Sequence, residues 1–218
     1  ITAEGMELAQ FAPETRRRLQ DLLRENIKAA SPDDLEQMLV NVGNNPSGLA
    51  ITPTGDRLFV ANSGDSTISV VDTASNVVTT TITAAQSRPY ALAYLANGAS
   101  SRLLVANNNS ASVSVLDGAS YGAIATTQVG AHPTAIGIVD ASKAYVLNHF
   151  DGNFSVINPT TGAVIGGAVT LPAGAVSLAV APDSSFASVT AYPNSLARIN
   201  TTINAVTIPV TIPNSAKA

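Results

Sequence analysis

The chain has 218 residues, 45% of them hydrophobic, enough for one large domain or a domain with an appendage, and enough to bury a real core. Only 12% are charged and the net charge is −4, which argues against a general nucleic-acid footprint, and no apolar run reaches membrane-spanning length. With no cysteine, disulfides and thiolate metal sites are excluded.

Half of the charged residues precede residue 45, including all five Glu (Glu4, Glu7, Glu14, Glu25 and Glu36), and this shift separates an N-terminal segment, 1–45, from the rest, 46–218. A short helix around Glu4 to Phe11 comes first. After Pro13, Leu19, Leu22, Leu23 and Ile27 recur at three and four residues, which predicts a helix with one apolar face through about Ala30. Ser31-Pro32-Asp33-Asp34 restarts the chain with a cap, a proline suited to the first turn and two acids at the positive helix end. Leu35, Met38, Leu39 and Val42 continue the apolar face, and Gly43 can end it. Arg16, Arg17, Arg18, Arg24 and Lys28 alternate with Glu14, Asp21 and Glu25, which is the pattern of a mixed-charge solvated face. Short helices cannot hide such a stripe alone, so Leu19, Leu22, Leu23, Ile27, Leu35, Met38 and Leu39 are expected to contact a partner surface.

From Pro46 the chain repeats. Leu49, Leu92, Ile136 and Leu178 mark corresponding first strands at intervals of 43, 44 and 42 residues. Each is followed by a small residue (Ala50, Ala93, Gly137, Ala179), as strands crowded around an axis require. A second strand reads Leu58 to Asn62, Leu103 to Asn107, Ala144 to Asn148 and, degenerately, Phe186 to Ala191. A third reads Thr67 to Asp72, Ser112 to Asp117, Asn153 to Asn158 and Ser195 to Asn200. Four strands per unit at a period in the low forties predict a mainly β fold, a β-propeller of four four-stranded antiparallel blades preceded by a short α-helical segment. The blades run over about 46–87, 88–131, 132–173 and 174–214, strand one innermost. Leu49, Ile51, Leu92, Ile136, Ile138, Leu178, Val180, Val60, Val70, Val105, Val115, Val146 and Val156 are the predicted core.

Phe59-Val60-Ala61-Asn62 with Ile68-Ser69-Val70-Val71-Asp72, and Val105-Ala106-Asn107 with Val113-Ser114-Val115-Leu116-Asp117, resemble the repeats of the YVTN-type β-propellers of the lactonase-like superfamily. The resemblance covers Pro46 to about Ile212 and thins in the last blade, where Ala191 replaces the Asn. It implies a surface or secreted bacterial or archaeal protein, hence an extracellular, cell-surface or periplasmic location. Related lactonases use acidic metal ligands near the axis, Glu among them, and residues 46–218 contain no Glu.

Asn62, Asn107 and Asn148 close the second strands, and Asp72, Asp117, Asn158 and Asn200 the third. Their recurrence invites a ligand reading, but Asn and Asp also make turns at strand ends through side-chain bonds to the backbone two residues on. There are two histidines and no HExxH, CxxC, GxSxG or phosphate-loop pattern. In a propeller, the loops from strand four to the next strand one share a face with those between strands two and three. Arg88, Tyr90 and His132 fall by the first kind, Asp65, Asn108, His149, Asp151 and Tyr192 in the second. That rim suits an anion, a sugar or a metal, although surface loops are polar in any case.

No catalytic residue, metal or cofactor is expected from these residues. Three function classes follow: a non-catalytic extracellular scaffold for binding, adhesion or assembly; a lactonase-like or lyase-like propeller enzyme; and a structural subunit of an oligomer or filament that uses the N-terminal helices. The expected partners are another protein, a second copy or a surface glycan, with no nucleic acid and no membrane span. If four blades do not close, the faces of the first and last stay uncovered, which favours assembly.

Overall fold

Short runs of alternating apolar and polar residues between Gly, Asn and Asp turns build sixteen strands in the computed structural model, which describes residues 40–83, 87–172, 174–191 and 195–211. The chain divides into two units, Ile1–Val40 and Asn41–Ala218, and the strands belong to the second. The predicted helices with their stripe from Leu19 to Leu39, and Tyr192 on the rim, lie outside the described residues.

The first blade is β1 (Pro46–Ile51), β2 (Arg57–Asn62), β3 (Thr67–Asp72) and β4 (Val77–Ile82); the second is β5 (Pro89–Leu95), β6 (Arg102–Asn107), β7 (Ser112–Asp117) and β8 (Ala123–Gln128). The third is β9 (Pro133–Asp140), β10 (Lys143–Asn148), β11 (Asn153–Ile157) and β12 (Val169–Thr170); the fourth is β13 (Ala175–Val180), β14 (Phe186–Ala191), β15 (Ser195–Asn200) and β16 (Ala205–Thr211). Each forms one antiparallel sheet in simple sequence order. The third blade is the least regular. Its outer strand has two residues, and the chain before it makes only an isolated bridge, Val164 to Ile157, before a turn with Gly166 at φ 71°.

Asp72, Asp117, Asn158 and Asn200 each accept two backbone N–H groups from the turn that follows, as at Ala119 (3.1 Å) and Ser120 (2.9 Å) on Asp117. The strand-two asparagines differ from the turn-making expectation. Asn62, Asn107 and Asn148 are fully buried, and each amide nitrogen donates to polar side chains on the third strand. Asn107, for example, donates to the Ser112 and Ser114 hydroxyls at 3.2 and 2.9 Å. A pleated strand places i and i+2 on one face, so one amide reaches both hydroxyls.

The core lies between blades. Phe59, Ala61, Ile68 and Val70 of the first blade pack on Leu92, Leu103 and Val105 of the second. Leu104 and Val113 meet Ala144, Val146 and Ile157, and Tyr145, Leu147, Phe154 and Val156 meet Ala187, Val189 and Ile199. The crowding expected at the small residues is sharpest at Gly137, where a Cβ would collide with Leu178 and come within 2.7 Å of Val180 on the next blade.

Two expected core residues face water. Leu49 is 64% exposed and Ile51 55%, whereas their counterpart Leu92 is 8% exposed because the first blade covers it. The innermost strands pack in succession, β1 on β5, β5 on β9 and β9 on β13, and among the described residues no such packing joins β13 back to β1. Among the described residues, no blade lies over the Leu49 and Ile51 face of the first blade's inner strand. Ile136, Ile138, Leu178 and Val180 are half-buried, and the remaining predicted core valines and Leu92 are buried. On the far face of the fourth blade Ser177, Thr190 and Arg198 are exposed beside Ala179, Phe186 and Leu196, and the Arg198 guanidinium lies 3.7 Å over the Phe186 ring.

Candidate binding rim

Three repeats enter strand one through a left-handed residue before proline: Asn45 (φ 51°), Arg88 (φ 58°) and His132 (φ 52°). This backbone aims each carbonyl at the N–H that follows the strand-two asparagine, giving Ser63 to Asn45 at 3.0 Å, Asn108 to Arg88 at 2.9 Å and His149 to His132 at 3.1 Å. Arg88 and His132 are thus fixed by their main chain, and the Arg88 residue is exposed at the rim. Immediately after each entry a β-bulge leaves Ser47, Tyr90, Thr134 and Val176 unpaired, so four innermost strands project one extra side chain each at the same end.

The acids of the rim have a structural task. The Asp65 carboxylate accepts the backbone N–H of Asn44 at 2.7 Å and its amide at 2.8 Å, and these bonds, the backbone one foremost, hold its carboxyl below the usual carboxylate range. Asp151 does the same for the Ala131 N–H at 2.8 Å. The clasp needs glycine at the position before the donor, since a Cβ at Gly43 or Gly130 would lie 2.7 or 2.6 Å from the carboxylate oxygen. Ser110 takes the role in the second blade, accepting the Ser87 N–H at 3.0 Å.

Asn108 and His149 latch blades together. Asn108 is 6% exposed, donates to the Pro133 carbonyl at 3.3 Å and accepts from His132 Nδ1 at 3.1 Å. His149 Nδ1 donates to the Ala175 carbonyl at 2.7 Å, which leaves Nε2 as the basic nitrogen of the neutral ring. Phe150, 70% exposed, carries His132 at 3.9 Å and His149 at 5.7 Å between ring centroids.

Of the eight rim residues, the structure brings Tyr90 and His149 into one depression of about 210 Å³, shared with Thr134 and Val176, and places His132 beside it. The Thr134 hydroxyl is buried there without a partner among the described residues. Asp65, Asp151 and Arg88 do not line it. Thr134, Val176 and Phe150 escaped the sequence reading; the residue after each strand-one entry (Pro-Ser, Pro-Tyr, Pro-Thr, Ala-Val) was the available signal. Among the described residues no three His, Asp or Glu side chains converge as a metal site.

A family model described as lactonase, 7-bladed β-propeller, matches residues 24–163, more than half of the chain. The chain belongs to the lactonase seven-bladed β-propeller family. The family match ends within the third blade, past β11, so the fourth blade lies beyond it. Comparison with curated proteins gives no match. Among solved structures, hydrazine synthase of Kuenenia stuttgartiensis superposes with a TM-score of 0.70 at 24% identity over 79% of this chain. That likeness is one of fold, and the chain spans about half of the neighbour, 51% of its length. Within the family frame, the rim offers two histidines, a tyrosine and an arginine.

Proposed function

We propose that this lactonase-family propeller acts as a non-catalytic extracellular or cell-surface scaffold whose blades assemble with a protein partner or a second copy. The observation that carries the reading is the exposure of Leu49 and Ile51 on β1, at positions where later blades pack. On the face that later blades use for packing, the first blade presents Leu49 and Ile51 to water, while Val60 and Val71 beside them are buried. Covering a leucine or isoleucine is worth about 1.5–3 kcal/mol each. The surface or secreted location rests on the YVTN-like strands Phe59–Asn62 and Val113–Asp117. In this reading the stripe Leu19, Leu22, Leu23, Ile27, Leu35, Met38 and Leu39 is a further partner contact.

Light scattering on the chain tests it: a mass above one chain that falls to one chain in the double variant L49D/I51D supports assembly with a second copy, and a single-chain mass for both removes that form of the proposal. The second reading, a lactone hydrolase, is favoured by the family match and by the basic nitrogen of His149 in the depression with Tyr90. Turnover of a lactone panel that disappears in H149A would establish it in place of the scaffold.

A further inference from the structure

At the end of the blades opposite the rim, the second strands of the first three blades open with a cation: Arg57, Arg102 and Lys143. In two of the three junctions this cation struts the next blade. Arg102 donates to the Thr160 carbonyl at 3.2 Å while pairing with Asp117 at 3.4 Å, and Lys143 donates to the Thr201 carbonyl at 2.6 Å. Between the first and second blades the cation also crosses, but to a side chain rather than to a main-chain carbonyl. Arg57 reaches the Tyr121 hydroxyl at 3.0 Å, the guanidinium's one hydrogen bond among the described residues, and its side chain is 44% exposed against 14% for Arg102.

Beside Arg57 a cleft of about 350 Å³ opens between the blades, within the range of about 300–1,000 Å³ for small-molecule sites. One wall is Tyr94, held in place by stacking on the buried Phe59 ring at 5.6 Å. Asp56 and Arg57 stand side by side on the opposite strand, 3.9 Å apart. One oxygen of Asp56 is taken by the hydroxyls of Thr52 and Thr54, and the other faces the guanidinium. Gly98 leaves the neighbouring rim without side chains.

From this arrangement we infer that the cleft between the first and second blades is a binding site for a neutral saccharide unit. A carboxylate beside a guanidinium cancels net charge, so neither a simple anion nor a simple cation is favoured. Such a pair offers an acceptor and forked donors at adjacent points, which matches neighbouring hydroxyls that each donate and accept. An aromatic wall meets the apolar C–H face of a sugar ring. The site stands apart from the rim and does not depend on the assembly reading.

The test uses the full chain with glucose, galactose, mannose and N-acetylglucosamine and their disaccharides as probes, and phosphate and acetate as the anionic arm, followed by amide NMR. At least one sugar should saturably shift the Tyr94, Gly98 and Gly118 amides. R57A and D56N should each raise its Kd about tenfold, the worth of one charge-assisted bond. R57A should keep the wild-type amide spectrum away from the cleft, with a melting temperature only slightly lowered, because the half-exposed side chain gives up one bond, to Tyr121. No shift with any sugar, tighter binding of phosphate or acetate in the cleft, or unchanged affinity in R57A and D56N would each overturn the inference.

Discussion

Asn107 sits at 0% exposure with both amide hydrogens bonded to serine hydroxyls of the next strand, and the same arrangement recurs at Asn62 and Asn148. In all three the side-chain carbonyl is buried without a partner among the described residues. Replacing Asn107 by Ala strands the Ser112 and Ser114 hydroxyls in the core, so N107A should lose about 1–3 kcal/mol of stability in denaturant unfolding. The exposed turn aspartates act differently. Hydrogen bonds from Ser75 (side chain first) at Asp72, and from Ser120 (backbone first) at Asp117, hold both carboxyls below their ordinary value of 3.8. A depressed folded pKa contributes stability that is complete above the unfolded value and lost as pH falls through the folded one. The melting temperature should therefore be level through neutral pH and drop below about pH 4, with a shallower acid limb in D72N/D117N. The sequence pointed to the right asparagines at the strand ends but to the wrong bonds. It placed the recurrence and could not tell a turn bond from a bond across the sheet, because burial decides which donors are near.

Strands pack across blades through their innermost residues, and the closest approach is Gly137 of β9 against Leu178 and Val180 of β13. A methyl group there must push the blades apart, so G137A should cost about 1–3 kcal/mol, read as a lower melting temperature. Tyr145 of β10 bonds Asn204 at 2.7 Å across the same junction, and burial, with Asp140 second, pushes its hydroxyl up to about 12. A raised folded pKa means that its contribution persists below the unfolded value near 10 and is lost as pH rises through about 12. Ultraviolet titration should show one tyrosine ionising last, and Y145F should remove it. The strand order, the repeat and the small residues beside the axis were legible, because apolar alternation and period survive sequence drift. The bulges at Tyr90, Thr134 and Val176 and the struts at Arg102 and Lys143 were not. They depend on pairing register and on which carbonyl the next blade brings near.

For the molecule as a whole, four blades stack in succession, and Leu49 and Ile51 lie on the face of the first that no described blade covers. Leu49 and Ile51 read as core in the sequence because their repeat neighbours are core. A linear pattern does not say which blade faces are covered. The exposed pair marks the β1 face as the surface for a partner. The absence of cysteine allows a direct measurement, thiol reactivity of L49C compared with S177C across a range of protein concentrations. The account predicts that position 49 is protected at high concentration and becomes reactive on dilution, while position 177 reacts freely throughout. Equal reactivity at both positions, or protection of position 49 that is independent of concentration, would contradict it.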